Sequence, residues 1–211
     1  MNDELQNRAL IVRPEHGLTV EASALAARGL AALEGRPSLV PQKRWLRFPE
    51  TQSVGWVKFF EDQEAVDPVG EGVHARGEIS VPARMVARLI VWSTVEDFSF
   101  LATCDPQTVL TTLAVCENFT DTGLQYLAHL TALRILILDS TQITDAGLRH
   151  LSPLVSLGVL SLNDTQITDA GLRHLEPLTK LRLLGLTGTR VTPIGRGRLL
   201  AVFPRNDLWF E

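Results

Sequence analysis

Two histidines, His150 and His174, recur 24 residues apart, each beside an arginine, Arg149 and Arg173. On stacked helices such a pair would lie about 5–10 Å apart, within reach of one shared metal ion. A functional zinc site needs three or four ligands. Tyr126 stands at the same position one repeat earlier, and no third ligand accompanies the histidines. The pair reads as solvated surface, and no metal site is expected. Asp145 and Asp169, with Asp121 before them, form a second recurring set. Paired carboxylates can do acid–base chemistry. Each of these opens a helical segment, where the positive end of the backbone dipole explains its presence without catalysis.

Cys104 and Cys116 are the candidate nucleophiles. They lack C-x-x-C spacing, and no sequence neighbour obviously depresses a thiol pKa. Gly195-x-Gly197 lies between arginines but follows neither a phosphate-loop pattern nor a dinucleotide fingerprint. His16 and His74 have no triad-like context. The chain is therefore read as non-enzymatic, with no catalytic residue and no cofactor.

The elements that must position these residues are written in the repeat itself. Residues 136–151 return as residues 160–175, sharing the run TQITDAGLRHL. A fixed period of this length marks a solenoid, in which each unit buries its apolar face against the next. Leu136 and Leu138 point one way along a strand, while Ile135, Ile137 and Asp139 point the other. Thr144 can cap a helix, and Leu148, Leu151 and Leu154 line one helical face. Pro153 and Pro177 end the helices. Thr141 and Thr165 are expected to bond backbone groups inside the strand-to-helix turn.

The T-x-I-T-D-A-G-L-x-H-L unit resembles that of bacterial leucine-rich repeat proteins. The resemblance implies an α/β solenoid, with a parallel sheet on the concave face, helices on the convex face, and protein binding as the typical role. The same period extends to strands near residues 88–92, 112–116, 135–139, 159–163, 183–187 and 207–211. Residues 86–211 are accordingly read as the repeat domain, with Pro193 to Pro204 as its C-terminal closure. Residues 1–85 are read as a helix over 21–35 followed by a β-rich cap. That cap has strands at Arg44–Phe48, Gly55–Phe60 and Gly77–Val81 and an acidic loop from Glu61 to Glu71. A hairpin through Pro82 and Ala83 is expected to pair Gly77–Val81 with Val86–Trp92.

Aligned strands place three columns on the concave face. The first runs Arg88, Thr112, Ile135, Val159, Leu183, Asp207. The second runs Ile90, Ala114, Ile137, Ser161, Gly185, Trp209. The third runs Trp92, Cys116, Asp139, Asn163, Thr187, Glu211. An apolar centre with a polar margin and aromatic ends suits a protein interface. The expected partner-binding set is Trp92, Ile135, Ile137, Asp139, Val159, Ser161, Asn163, Leu183, Thr187 and Trp209. Two other readings stand beside it. One is an enzymatic or ligand site in residues 1–85 built from Trp45, Trp56 and His74. The other is self-association into a homo-oligomer through the apolar stripe.

The formal charge of −4 provides no basic stripe for nucleic acid. No run reaches the roughly 18 apolar residues of a membrane span. The opening MNDELQNRAL lacks a signal-peptide pattern. A cytoplasmic protein with reduced thiols, binding neither membrane nor nucleic acid, is the expectation.

Overall fold

The computed structural model describes residues 44–61, 73–81, 85–104, 110–203 and 209–210. The helix expected over 21–35 lies outside the described residues, as do residues 62–71 of the expected acidic loop.

The segment before the repeats supplies β1 (Arg44–Arg47), β2 (Gly55–Glu61), β3 (Val73–His74) and β4 (Glu78–Val81). The three expected strands are present, but their pairing differs from the expected hairpin. β4 pairs with β1 in a separate two-stranded sheet. The strand β5 (Met85–Val91) pairs instead with β2, from Gly55 opposite Val91 to Glu61 opposite Met85. Two seven-residue strands satisfy more backbone groups together than β5 could with the four-residue β4. Gly55 permits the close approach: a Cβ there would lie 1.9 Å from the carbonyl oxygen of Ile90.

From β5 onward the strands run parallel. They are β6 (Leu110–Ala114), β7 (Ile135–Ile137), β8 (Val159–Ser161), β9 (Leu183–Gly185) and β10 (Trp209–Phe210). With β2 and β3 they complete an eight-stranded sheet of order β10-β9-β8-β7-β6-β5-β2-β3. Arg88, Thr112, Ile135, Val159 and Leu183 lie in register, as do Ile90, Ala114, Ile137, Ser161 and Gly185. The two columns therefore hold across five strands. The sixth strand slips: Trp209 stands opposite Leu183 and Phe210 opposite Leu184. Trp209 thus joins the first column, where the uniform period put Asp207. The cause is α3 (Pro193–Val202), a ten-residue helix where earlier repeats have short turns.

The repeat's helical segments are shorter than a leucine face suggests. They are α1 (Asp121–Leu124) and α2 (Asp145–Leu148), each followed by a 3₁₀ turn, at Gln125–Leu127 and Arg149–Leu151. The next repeat has only the 3₁₀ turn Leu172–Leu175. Leucines at i, i+3 and i+6 match three residues per turn, the 3₁₀ period, better than 3.6. Leu148, Leu151, Leu154 and Leu157 are fully buried behind Leu136 and Leu138.

The turns that follow β7, β8 and β9 are left-handed. Ser140 and Asp164 have φ of 56° and 55°, and Gly188 occupies the same place at 70°. The threonine beside it closes the turn as expected. Thr141 Oγ1 donates to the Leu138 carbonyl, Thr165 to Leu162 and Thr189 to Leu186, each at 2.6 Å.

The recurring aspartates join one repeat to the next. Asp121 accepts from the Thr144 amide at 2.8 Å and the Thr144 hydroxyl at 2.7 Å. Asp145 does the same for Thr168, at 2.8 and 2.5 Å, and Asp169 for Thr192, at 2.7 and 2.6 Å. Each threonine oxygen then accepts an amide of its own helical segment, from Ala146, Ala170 or Gly195. The glycine three residues after each clamped threonine, in T-D-A-G twice and in T-P-I-G once, is required by the same contact. A Cβ on Gly147, Gly171 or Gly195 would meet the preceding repeat's aspartate Oδ1 at 2.2, 2.3 or 2.1 Å. Asp97, 24 residues before Asp121, stands outside this series: its carboxylate binds Ser99 locally.

Two glycine-to-alanine substitutions separate this clamp from simple helix propensity. Gly171→Ala drives a methyl into the Asp145 carboxylate, and the expected loss is about 1–3 kcal/mol. Gly197→Ala adds a methyl with nothing within 4 Å inside α3, and the expected gain is up to about 1 kcal/mol. Urea denaturation of both variants checks the pair; equal responses would contradict the clamp geometry.

Candidate functional site

The side of the sheet away from the leucine core is the face expected to be concave. At its centre Ile135, Val159 and Ser161 are 0% exposed, Ile137 4% and Asp139 8%. These residues alternate with Leu136, Leu138, Leu160 and Leu162, which belong to the core on the other side. The centre of the face is thus a second buried layer. Burying a Val or Ile side chain fully contributes about 1.5–3 kcal/mol. The polar Thr112 is drawn into the same layer: its hydroxyl is buried without a hydrogen-bond partner.

The polar margin ties strands together. Asp139 Oδ1 accepts from the Ser161 hydroxyl and from the Asn163 amide, the latter at 3.0 Å. Asn163 Oδ1 in turn accepts from the Thr187 amide at 2.8 Å. Asn163 Nδ2 donates to Ser161 Oγ at 3.1 Å. These side chains extend the backbone ladder past the ends of the short strands β7 to β9. Burial pushes the Asp139 carboxyl above the usual aspartate range; the bonds from Ser161 and Asn163 pull against it, and the charge of Asp164 adds to the rise. Asp169 in the clamp moves the other way, held low by its hydrogen bonds from Thr192.

The open parts of the face lie toward its two ends. Asn163 and Leu183 are half-buried and Thr187 is exposed. At the opposite end the sheet continues past β5 into β2 and β3, with Trp56 opposite Ile90 and His74 opposite Trp56. Directly paired residues share a face, so Trp56 and His74 extend the second column. Trp92, just beyond β5, completes an aromatic group. Its ring lies 6.3 Å from Trp56 and 5.6 Å from His74, and His74 stacks 4.2 Å from Trp56. Both tryptophans are half-buried and His74 is exposed.

Of the expected partner-binding residues, the structure brings Ile135, Ile137, Val159, Ser161 and Asp139 together in the buried centre. Asn163, Thr187 and Leu183 lie beside it, and Trp92 is at the far end. Trp209 is placed only by its register opposite Leu183. Trp56 and His74 belong to the same face as the repeats, which the repeat period by itself could not show. The alternation through Gly55–Phe60 was the available signal. Trp45, the third member of the alternative ligand site, lies apart from them on β1 and is 45% exposed.

The other chemistry-bearing groups have structural partners. Cys116 Sγ donates to the Val91 carbonyl at 2.7 Å, and burial, then the charge of Glu117, pushes its thiol up to about 11. Burial alone pushes Cys104 to about 11. Both cysteines are free and buried. His150 Nε2 lies 3.2 Å from Arg149 Nε, which donates to it, and His129 bonds the Cys104 carbonyl at 2.8 Å. Among the described residues no group of three or more His, Cys, Asp or Glu could hold a metal ion. No described helix is long and apolar enough to cross a membrane.

A mostly parallel sheet of short, regularly spaced strands, each returned by a leucine-lined helical turn, defines an α/β leucine-rich repeat fold. Among solved structures the chain is similar to internalin C2 of Listeria monocytogenes (26% identity, 55% of this chain and 46% of that one, TM-score 0.41). It is also similar to a second Listeria monocytogenes internalin (19%, 56% and 45%, TM-score 0.34). A leucine-rich repeat protein of Leptospira interrogans matches at 18% identity over 56% of this chain and 34% of that one, TM-score 0.36. The chain spans less than half the length of each. No family model and no curated protein matches it.

Two measurements test the site's electrostatics. Asp139 has a folded-state pKa above its unfolded one, so the folded chain holds more protons between those values and stability falls as pH rises through that window. Asp139→Asn is neutral throughout. It is expected to raise the urea midpoint at pH 7 and to lose that advantage near about pH 3, where aspartate is protonated in both states. For the thiols, the rise from 9.0 to about 11 predicts native alkylation at pH 7.5 roughly 100-fold slower than in urea. A fast-reacting native thiol would contradict it.

Proposed function

We propose that this chain is a non-enzymatic protein-interaction module that engages a partner protein through the outward face of its sheet. The observation that carries the reading is the aromatic group Trp56–His74–Trp92, on the same face as the repeat columns and open to solvent at His74. Tryptophans of this kind anchor interfaces because they offer large area at low conformational cost. Asn163 and Thr187 supply a polar margin at the other end. The groups that could have done chemistry support the same reading. Asp121, Asp145 and Asp169 serve as inter-repeat clamps, and both thiols are held protonated. An adaptor, regulatory or inhibitor role fits such a module, and two free buried thiols suit the reducing cytoplasm.

The test is affinity capture from the native cell followed by titration of the captured protein. Trp56→Ala and Trp92→Ala are each expected to weaken binding at least tenfold, while Trp45→Ala, on the separate sheet, leaves it unchanged. Binding at the unsubstituted level by both face variants, with unfolding midpoints unchanged, would remove the outward face from the reading.

A further inference from the structure

The aromatic end of the outward face also carries charge. Lys58 stands directly opposite Arg88 in the β2–β5 pairing, and Arg88 stands in register with Thr112 and Ile135. Directly paired residues share a face, so Lys58 extends the first column as Trp56 extends the second. Lys58 is one same-face step from Trp56, about 7 Å along β2, and Arg88 is one such step from Ile90 along β5. All four are half-buried. With Trp92 and His74 they form a patch of aromatic rings beside two cations. Like charges set directly opposite each other across antiparallel strands lower stability. The outward positions of β2, β5 and β6 hold no aspartate or glutamate. The first carboxylate along the columns, Asp139, is taken up by Ser161 and Asn163. Lys58 makes no hydrogen bond or ion pair among the described residues. The whole chain carries a formal charge of −4, so cations gathered on its aromatic patch run against its composition.

We propose that the partner segment seated on this end is an acidic stretch of polypeptide. One of its carboxylates meets Lys58 and Arg88 while a neighbouring large apolar side chain lies on Trp56 and Trp92. This partner chemistry rests on the interaction reading above. The step from Trp56 to Lys58 matches alternate residues of an extended segment, about 7 Å apart, and is close to the spacing of residues one turn apart on a helix, about 5–6 Å. Two cations in an acidic chain do not make the continuous basic groove that a nucleic-acid backbone requires. A cationic guest would be repelled by Lys58 and Arg88, and His74 stacks on Trp56 at 4.2 Å, which leaves no gap between those rings. Charge complementarity of this kind selects the partner and speeds its association more than it adds affinity.

Selection of random phage-displayed peptides on the full chain tests this without the native partner. Enriched peptides are expected to be net negative, with an Asp or Glu within about four positions of an aromatic residue or leucine. As synthetic peptides they are expected to bind Lys58→Glu about tenfold more weakly, mainly through slower association, and to weaken as salt rises from about 0.05 to 0.5 M. Lys180→Glu makes the same charge change at an exposed site in the turn before β9 and is expected to leave binding unchanged. Lys58→Glu turns a like-charged pair into an opposite one, so its urea midpoint is expected not to fall, which separates lost binding from lost folding. Should the midpoint fall, Lys58→Gln reads the same loss of charge. Neutral or basic binders, no enriched binder, or acidic binders indifferent to Lys58 would overturn the acidic partner. So would a fluorescent oligothymidylate that binds the same patch more tightly than the peptides. If neutral peptides are enriched and still lose binding on Trp56→Ala and Trp92→Ala, the interaction reading stands and only the acidic chemistry falls. Binders indifferent to both tryptophans remove both.

Discussion

The carboxylate that each repeat lends to the next is the contact on which the stack depends. A strand of three residues cannot hold a repeat in place by its ladder alone, since the hydrogen bonds of β7 or β8 are few. The aspartate adds two charge-assisted bonds at the far side of the repeat, to the amide and hydroxyl of one threonine. Sheet and clamp together fix both edges of the unit. The arrangement also explains why Thr, Asp and Gly travel together. The threonine is clamped and caps its own turn, the aspartate clamps forward, and the glycine leaves room for the carboxylate arriving from behind.

A second ladder runs along the outward side, from Asp139 to Asn163 to Thr187. It resolves the fate of the position that differs most in charge between copies. Asp139 and Asn163 both present an acceptor to the next strand's amide, and that shared task tolerates either residue. Only Asp139 bears the desolvation cost, because it sits in the buried centre. Residues with the look of a recognition surface are thus partly committed to holding the sheet. The aromatic end has no such task, which is why it carries the functional reading.

The same economy applies to the groups with chemical potential. A carboxylate that accepts bonds from a threonine amide and hydroxyl, one at each oxygen, is committed to a structural contact, and Asp169 is held toward its ionised form by those bonds. A thiol in an apolar layer resists ionisation. Repetition of a reactive side chain in this chain reflects repetition of a structural contact.

Much of the architecture was legible in the sequence because it depends on local, periodic constraints. Strand alternation, the threonine-closed turn and the register of five strands follow from side-chain period and from the 24-residue repeat. The i, i+3, i+6 leucines even encoded the 3₁₀ turns, although the spacing also admits a helix. Tertiary structure decided what no period could state. It chose β2 over β4 as the partner of β5, because backbone satisfaction is a competition between segments distant in sequence. It slipped β10 by two residues, because α3 is longer than the turns it replaces. It turned Asp145 from a helix-end charge into a clamp, because its partner lies in the next repeat. It buried the centre of the outward face, because alternation along a strand records which side a residue points to and not how exposed that side is.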